Sequence, residues 1–219
     1  MSMDYTTAAE ALRQIAVIGN EKNKPVILTG QPEQYGLICI GIGTDAAVFT
    51  HPSTPGYAYK MYSELALEKK KLESMVYERL QGIPYFPQCY GEGDRYLILS
   101  YEPGVTLHEC LTEGIPVPDQ VIHDVEEART LVRSRGLNPR DIHLKNVLLQ
   151  NGRGKVIDVS EYVQEGNDNR WSMLLWAHRN LYPYMLGKKV PEWLLHAIKQ
   201  GYRLLSGAAG IMPRERKVK

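Results

Sequence analysis

The sequence predicts an α+β fold in which a small antiparallel sheet is followed by a mostly helical part. Short β-like runs, separated by turns that carry glycine and proline, fill much of the first part of the chain. In the second part, apolar residues recur mainly at helical spacing. The connector Glu102-Pro103-Gly104 lies between the two. This layout predicts one domain of 219 residues in two lobes, 1–101 with an N-terminal helix and 102–219.

The composition is that of an ordinary soluble globular protein, with 43% hydrophobic and 23% charged residues. A formal net charge of +1 argues against a protein built to hold nucleic acid, because such proteins carry a concentrated basic excess. The one basic run is expected to be a solvated end and comprises Arg214, Arg216, Lys217 and Lys219.

Cysteine usage and hydropathy predict a cytoplasmic protein. Cys39, Cys89 and Cys110 are odd in number and lack metal-ligand spacing, so we expect buried thiols in a reducing compartment. No stretch approaches the roughly 18 apolar residues that span a bilayer, so no membrane span is expected. The first residues lack the charged-then-apolar pattern of a signal peptide.

The first part of the chain is predicted to begin with a helix over residues 7–18. β-like runs follow at Pro25–Thr29, Gly36–Ile40, Ala46–Thr50 and Gly56–Tyr62. Residues 63–81 predict a charged amphipathic helix whose apolar face is formed by Leu65, Leu72, Val76 and Leu80. Tyr96–Tyr101 predicts a buried strand before the connector.

The second part is predicted to be helical apart from one hairpin. A helix is expected over residues 119–135, whose apolar residues share one face. Asn151-Gly152 is typical of a hairpin turn and joins strands expected at Val147–Leu149 and Lys155–Val159. Apolar helices that contain tryptophan are expected over residues 168–182 and 191–205.

A glycine-bearing segment, Gly41 to Val48, lies between two β-like runs. Glycines let backbone N–H groups approach phosphate oxygens without a side chain between them. By itself the segment is more typical of an ordinary hairpin turn. It is not a P-loop, because no Gly-Lys-Ser/Thr follows, and the strand after it disfavours a dinucleotide-binding fold.

Lys60 lies inside an apolar β-like run, where a buried and unpaired charge is costly, so we expect an anion beside it. A solvent-facing strand lysine is the alternative. Two glutamates of the following helix border its apolar face, Glu68 on one side and Glu73 on the other. Periodicity does not choose between them.

The strongest signal is a polar loop that begins at Asn138 and leads into the apolar run Val147–Leu149. Asp141 and Asn146 are five residues apart in it. That spacing suits an aspartate that accepts the proton of a hydroxyl and an asparagine whose carbonyl oxygen binds Mg²⁺. Asp158 follows Asn146 by 12 residues and ends an apolar run, where it either ligates a metal or caps a turn.

In their order and separations these segments resemble the protein-kinase-like superfamily, particularly the minimal bacterial serine/threonine kinases close to RIO-type kinases. The resemblance extends from about Gly36 to Leu181. It implies a two-lobed fold that binds ATP with Mg²⁺, or with Mn²⁺, and transfers the γ-phosphoryl group to a hydroxyl acceptor.

The resemblance also implies roles for residues of the first part. Gly41, Gly43 and Val48 belong to the nucleotide lid, Lys60 contacts the α/β-phosphates, and Glu73 pairs with Lys60.

In the strand that leads into the adenine-binding hinge, Leu99 takes the gatekeeper position by the same resemblance. Ser100, Tyr101 and Glu102 then lie beside the adenine.

In the second part, Asp141 matches the catalytic aspartate, and Asn146 and Asp158 match the metal-binding pair. Asp168 matches the aspartate that supports the catalytic loop from the start of the large-lobe core helix.

Several positions depart from a standard protein kinase. Ala46 replaces the third lid glycine, and Pro139 stands where histidine is usual. His143 stands where serine/threonine kinases usually carry lysine, and a histidine there is familiar from aminoglycoside- and choline-phosphotransferase-like enzymes. Either His143 or the nearby Lys145 is expected to balance developing charge.

The largest departure is the length of one connector. Only nine residues, Val159 to Asn167, separate Asp158 from Asp168. No long activation loop fits there, so control by phosphorylation of that loop is not expected. The usual platform that docks a peptide is also absent.

Three functions follow from this pattern. The first is a compact serine/threonine protein kinase. The second is a small-molecule kinase that acts on an alcohol, which His143 and the missing peptide platform favour. The third is a pseudokinase or nucleotide-binding interaction module, against which the retention of Lys60, Asp141, Asn146 and Asp158 argues.

Overall fold

The structure is a computed structural model that describes residues 5–19, 21, 24–166 and 168–209, with side chains as far as Gly201. The basic residues expected to form a solvated end lie outside the described residues, as does Asn167.

The described chain begins with helix α1 (Thr6–Arg13), followed by a hairpin of β1 (Ala16–Ile18) and β2 (Ile27–Thr29). The predicted helix over residues 7–18 is therefore wrong at its C-terminal end. Val17 and Ile18 are β-branched, which lowers helix propensity and favours a strand.

A five-stranded antiparallel sheet follows, in the order β3-β4-β5-β7-β6. This confirms the predicted small antiparallel sheet. Its strands are β3 (Ile38–Ile42), β4 (Ala46–Thr50), β5 (Tyr57–Tyr62), β6 (Cys89–Glu92) and β7 (Tyr96–Ser100). Strand β6 was not predicted, because its four residues include a glycine and a glutamate and show no alternation of apolar side chains. Between β5 and β6 lie a 3₁₀ turn (Glu64–Ala66) and helix α2 (Leu67–Leu80).

The rest of the described chain is mostly helical, as predicted. Its helices are α3 (Leu107–Glu113), α4 (Asp119–Ser134), α5 (Arg170–Asn180), α6 (Tyr182–Met185) and α7 (Glu192–Ala209). None of the described helices combines the length and the apolar character needed to cross a membrane.

A second small sheet interrupts these helices, in the order β10-β9-β8. It consists of β8 (Val105–Thr106), β9 (Val147–Gln150) and β10 (Arg153–Val156). The predicted turn at Asn151-Gly152 is confirmed, and both of its residues have the positive φ that a tight hairpin turn needs. The second strand ends at Val156 rather than Val159, so Asp158 lies just beyond the strand.

The two faces of the five-stranded sheet pack against different parts of the chain. One face carries Ala47, Phe49, Tyr59 and Met61, which share a core with apolar residues of α1 and β1. The opposite face carries residues such as Tyr62 that join a core shared with α2, α4 and α5. Complete burial of an aromatic or large aliphatic side chain contributes about 1.5–3 kcal/mol, so both faces stabilise the sheet.

Helix α2 buries a different face from the one that its leucines predict. Leu65, in the turn before it, is 85% exposed and Leu72 is 41% exposed. The buried positions instead are Lys70, Glu73, Val76, Tyr77 and Leu80. Their spacing of three or four residues keeps them on one face. The predicted apolar face is therefore wrong in part. The buried face of α2 carries Glu73 toward the sheet.

Candidate active site

One row of residues crosses the five-stranded sheet on the face that holds the candidate site. Gly41 on β3 pairs with Val48 on β4, and Val48 pairs with Lys60 on β5. Residues paired directly across antiparallel strands project from the same face. A Cβ on Gly41 would lie 3.9 Å from Val48, in ordinary contact. Packing therefore does not demand glycine there, and its missing side chain leaves the space above Val48 open.

Gly43 has a structural role, because it closes the turn between β3 and β4. Its N–H donates to the Ala46 carbonyl at 2.8 Å, and its carbonyl accepts from the Val26 N–H at 2.9 Å. The hydrogen bond from Val26 ties the residue before β2 to the turn between β3 and β4.

Lys60 is held in a buried ion pair with Glu73. Its Nζ donates to Oε1 at 2.7 Å and to Oε2 at 2.9 Å, and the Glu73 side chain is 0% exposed. The Tyr62 hydroxyl also donates to Oε2, at 2.7 Å. Burial lowers the Lys60 pKa, but the carboxylates of Asp158 and Glu73 outweigh burial and hold that pKa above its ordinary value. Burial raises the Glu73 pKa, and the Lys60 ammonium opposes this effect.

The structure chooses between the two glutamates that the sequence left open. Glu68 is 84% exposed and pairs on the surface with Lys71 at 2.7 Å. Glu73 alone of the two lies against Lys60. Glu73 is therefore the partner of the strand lysine.

Asp158 is a second carboxylate near Lys60. Its Oδ1 is 3.4 Å from the Lys60 Nζ and accepts the Ser160 N–H at 3.0 Å. Burial raises the Asp158 pKa, but the Lys60 charge and the Ser160 N–H outweigh it, so the pKa lies below its ordinary value. Because a third of the side chain is exposed, Asp158 presents an ionised carboxylate to the solvent.

The polar loop holds Asp141 in an unusual backbone conformation. Asp141 has φ of 55°, in the left-handed region, which costs a non-glycine residue about 1–2 kcal/mol. The Asp168 carboxylate fixes this conformation by accepting the Asp141 N–H at 2.6 Å. Asp168 thus contacts the loop that the sequence predicted it to support.

Asn146 connects this loop to Asp158. The Asn146 Nδ2 donates to the main-chain carbonyl of Asp141 at 3.0 Å. The main-chain carbonyl of Asn146 accepts the Ile157 N–H at 3.0 Å. Asn146 therefore lies beside the residue that precedes Asp158, and its side-chain oxygen is left to act as an acceptor.

Two basic side chains lie next to the Asp141 carboxylate. Arg170, at the start of α5, forms an ion pair with it, and the Arg170 Nε is 3.6 Å from Asp168. The His143 Nε2 is 3.6 Å from the Asp141 Oδ1, and the His143 Nδ1 accepts the Lys145 N–H at 3.2 Å. Burial lowers the His143 pKa, so the ring is neutral near pH 7 and carries its proton on Nε2.

Lys145 contributes to this arrangement through its backbone, while its side chain is exposed. Its expected part in balancing charge stays a prediction. Sequence reasoning missed the contact of Arg170 with Asp141. An arginine two residues after Asp168 was visible, but only the fold brings the start of α5 to the loop.

The expected hinge follows β7. Leu99 is 5% exposed, and the Ser100 hydroxyl donates to Glu102 at 2.5 Å. Glu102 also accepts from Lys155 at 2.8 Å, which ties the connector to β10. The Tyr101 N–H donates to the Gly56 carbonyl at 2.9 Å. The Glu102 side chain is thus engaged within the protein.

Asn146 and Asp158 fit the donor chemistry of Mg²⁺. One offers an amide oxygen and the other an ionised carboxylate, and both are hard oxygen ligands. Among the residues that the structure describes, no group of three or more histidine, cysteine, aspartate or glutamate side chains can hold a metal. Mg²⁺ in phosphoryl-transfer sites takes one or two protein ligands and completes its shell with water and phosphate oxygens, so this donor set suffices.

Comparison with known proteins gives an informative match to a curated protein. No family model matches the chain. A curated protein of Bacillus subtilis (strain 168), named "Putative serine/threonine-protein kinase YrzF", is 33% identical over 202 residues. The match covers 90% of this chain and 92% of that protein.

Proposed function

The chain belongs to the kinase-like family of its Bacillus subtilis relative, and we propose that it is an ATP- and magnesium-dependent phosphotransferase, specifically a compact serine/threonine protein kinase. The observation that carries this proposal is the buried lysine of β5, held between Glu73 of α2 and Asp158. A buried cation shared by two carboxylates is suited to exchange one of them for a phosphate.

We further propose the two-lobed arrangement of kinases, with residues 1–101 and 102–219 on either side of an ATP cleft. The connector of nine residues after Asp158 supports a place near the RIO-type kinases, which share this shortening. Leu99, Ser100, Tyr101 and the Glu102 backbone then line the adenine end of the cleft.

In this proposal Lys60 binds the α/β-phosphates, and Glu73 fixes the direction of its ammonium group. Gly41 and Val48 cover the nucleotide from the sheet side. Asn146 and Asp158 hold Mg²⁺, which neutralises phosphate charge. These groups are held before the nucleotide arrives, which reduces the reorganisation needed for transfer.

Asp141 orients the acceptor hydroxyl and accepts its proton. Its conformation is fixed by Asp168, so the carboxylate is directed at one place. Arg170 balances the charge around it, and the neutral His143 ring lies beside it as a hydrogen-bond donor.

A small-molecule alcohol is the second candidate acceptor. It is favoured by the neutral His143 beside Asp141 and by the short connector, which leaves no peptide platform. The partner of Asp141 is then a hydroxyl of a metabolite rather than of a serine or threonine side chain.

The test is to incubate the protein with γ-labelled ATP and Mg²⁺ or Mn²⁺, alone and with a generic acceptor protein. Asp158→Asn is the control. We expect label in protein with the wild type and none with the variant. Metal-dependent ATP binding without protein labelling would transfer the proposal to a small-molecule acceptor. Absence of both ATP binding and labelling would overturn it.

A further inference from the structure

The connector between the two sheets carries a chain of side-chain contacts that are largely shielded from solvent. The Glu102 side chain is 10% exposed, and its Oε2 accepts from the Lys155 Nζ at 2.8 Å and from the Gln150 amide at 3.3 Å. Its Oε1 accepts the Ser100 hydroxyl at 2.5 Å, and the Ser100 oxygen in turn accepts the Gln88 N–H at 2.9 Å. Both carboxylate oxygens are therefore satisfied by groups of the protein.

These contacts join two elements that carry residues of the candidate active site. Ser100 ends β7, and Lys60 lies three residue pairs further along the ladder between β7 and β5. Lys155 lies in β10, and Asp158 follows it by three residues. Three residues are at most about 10 Å of extended chain. Glu102 thus fastens β7 to β10 a short distance from the point where Lys60 meets Asp158.

The main chain of the connector follows a closely packed path. A Cβ on Gly104 would lie 2.8 Å from the Leu149 carbonyl, so β9 leaves no room for a side chain there. The next residue, Val105, begins β8 and pairs with Leu149. The Tyr101 N–H donates to the Gly56 carbonyl at 2.9 Å. The connector is therefore fixed at both ends, and the Glu102 side chain holds the part between them.

A second contact holds β10 from another direction. The Val156 N–H donates to the Tyr85 carbonyl at 2.8 Å, which anchors the end of β10 to the segment after α2. If the contact between Glu102 and Lys155 is lost, β10 can turn about this anchor relative to β7. Such a turn changes the distance between Lys60 and Asp158, while the nucleoside end of the site, beside the connector, moves less.

We propose that Glu102 and Lys155 are positioning residues that set the spacing between Lys60 and Asp158. They act through β7 and β10 and not by contact with the nucleotide. The inference rests on the proposed function, in which Lys60 binds phosphate and Asp158 holds the metal ion. The spacing matters because a misplacement of about 1 Å can lower the rate of an enzyme by about 10²-fold.

The test compares Glu102→Gln and Lys155→Met with the wild type. Calorimetric titration measures the Kd of ATP with Mg²⁺ and the Kd of adenosine, and initial rates give kcat/KM. We expect either variant to weaken binding of ATP with Mg²⁺ by about tenfold and to lower kcat/KM by roughly 10–10²-fold, with adenosine affinity unchanged. Because both substitutions break one contact, the double variant should lose little more than either single one.

Two controls separate positioning from general stability. Lys155→Arg keeps the charge and should retain most of the wild-type kcat/KM. Glu113→Gln and Lys189→Met break an ion pair of 2.7 Å whose side chains are 59% and 72% exposed, and should leave both affinities and kcat/KM unchanged. The Tm of each variant shows that titrations are made on folded protein.

The possible results distinguish this inference from the proposed function. A lower Tm with wild-type affinity and kcat/KM in Glu102→Gln and Lys155→Met would overturn the inference, because the ion pair would then be structural only. An equal loss of adenosine affinity would also overturn it, since Glu102 would then contact the nucleoside. If the wild type itself binds no ATP with Mg²⁺, the proposed function fails and the inference fails with it.

Discussion

Glu73 and Asp124 are both buried, with 0% and 1% of their surface exposed, yet the regions around them are built differently. Asp124 of α4 accepts hydrogen bonds at 2.8 Å from the Arg153 Nε and Nη2 and from the Gly154 N–H. Burial raises the Asp124 pKa, but these bonds outweigh it and lower the pKa to about 2. Glu73 instead relies on Lys60, a cation that it shares with Asp158.

The difference separates a structural carboxylate from a functional candidate. Asp124 has its donors in β10 and in Gln120 of its own helix. A Cβ at Gly154 would lie 2.9 Å from the Val121 carbonyl, so the strand fits against α4 only with glycine there. That region is complete without a ligand. In the region around Glu73 and Lys60 the third charged residue, Asp158, is partly exposed, so this region can accept a ligand.

The largest effect is expected at the candidate site. Asp141→Asn should lower turnover by about 10²–10⁴, the range of acid–base assistance, while ATP affinity and Tm stay near wild-type values. Steady-state kinetics and calorimetric titration with ATP measure the two separately. Wild-type turnover in this variant would remove Asp141 from its proposed role.

In the other region the expected effect is on stability. Asp124→Ala should lower the free energy of unfolding by about 2–4 kcal/mol, because it leaves the Gly154 N–H buried without its acceptor. Urea unfolding measures this. Asp119→Ala, on the exposed start of the same helix, should cost less than about 1 kcal/mol. Equal losses in the two variants would contradict the structural role of Asp124.

Glu73→Gln should lower kcat/KM by about 10²-fold, since the Lys60 ammonium loses the charge that directs it. The matched control is Glu68→Gln on the same helix, which should leave kcat/KM unchanged because Glu68 is exposed and pairs with Lys71 on the surface. Initial rates over a range of ATP concentrations measure both variants. The same loss from Glu68→Gln would break the assignment of Glu73.

The smallest effect concerns pH. The Asp124 pKa is about 2 in the folded protein against an ordinary value of 3.8, so its stabilisation is complete above pH 5 and is lost as pH falls through 2. Between pH 5 and pH 3 the wild type should lose about 1 kcal/mol more stability than Asp124→Asn. Urea unfolding at the two pH values measures this, and parallel losses would show that the Asp124 pKa is not depressed.

The sequence predicted most strands and helices because their signals are local. Asn151-Gly152 specifies its hairpin turn, and Ala46–Thr50 was predicted with the bounds that the structure has. The buried face of α2 was partly missed for a physical reason. Lys70 and Glu73 occupy it, and polar side chains do not contribute to an apolar pattern although tertiary ion pairs allow their burial.

The candidate site likewise has residues that a local sequence pattern indicates and contacts that it does not. Asp141, Asn146 and Asp158 lie within one short segment, so their spacing could be recognised in the sequence alone. The choice of Glu73 over Glu68 and the contact of Arg170 with Asp141 depend on how distant elements pack. No local pattern carries that information.

The most direct test of this account is calorimetric titration of the wild type and of Asp158→Asn with ATP, with and without Mg²⁺. We expect the wild type to bind ATP more tightly when Mg²⁺ is present and Asp158→Asn to lose that dependence. Equal Mg²⁺-dependent binding by both proteins would contradict the account, because the metal would then bind without Asp158.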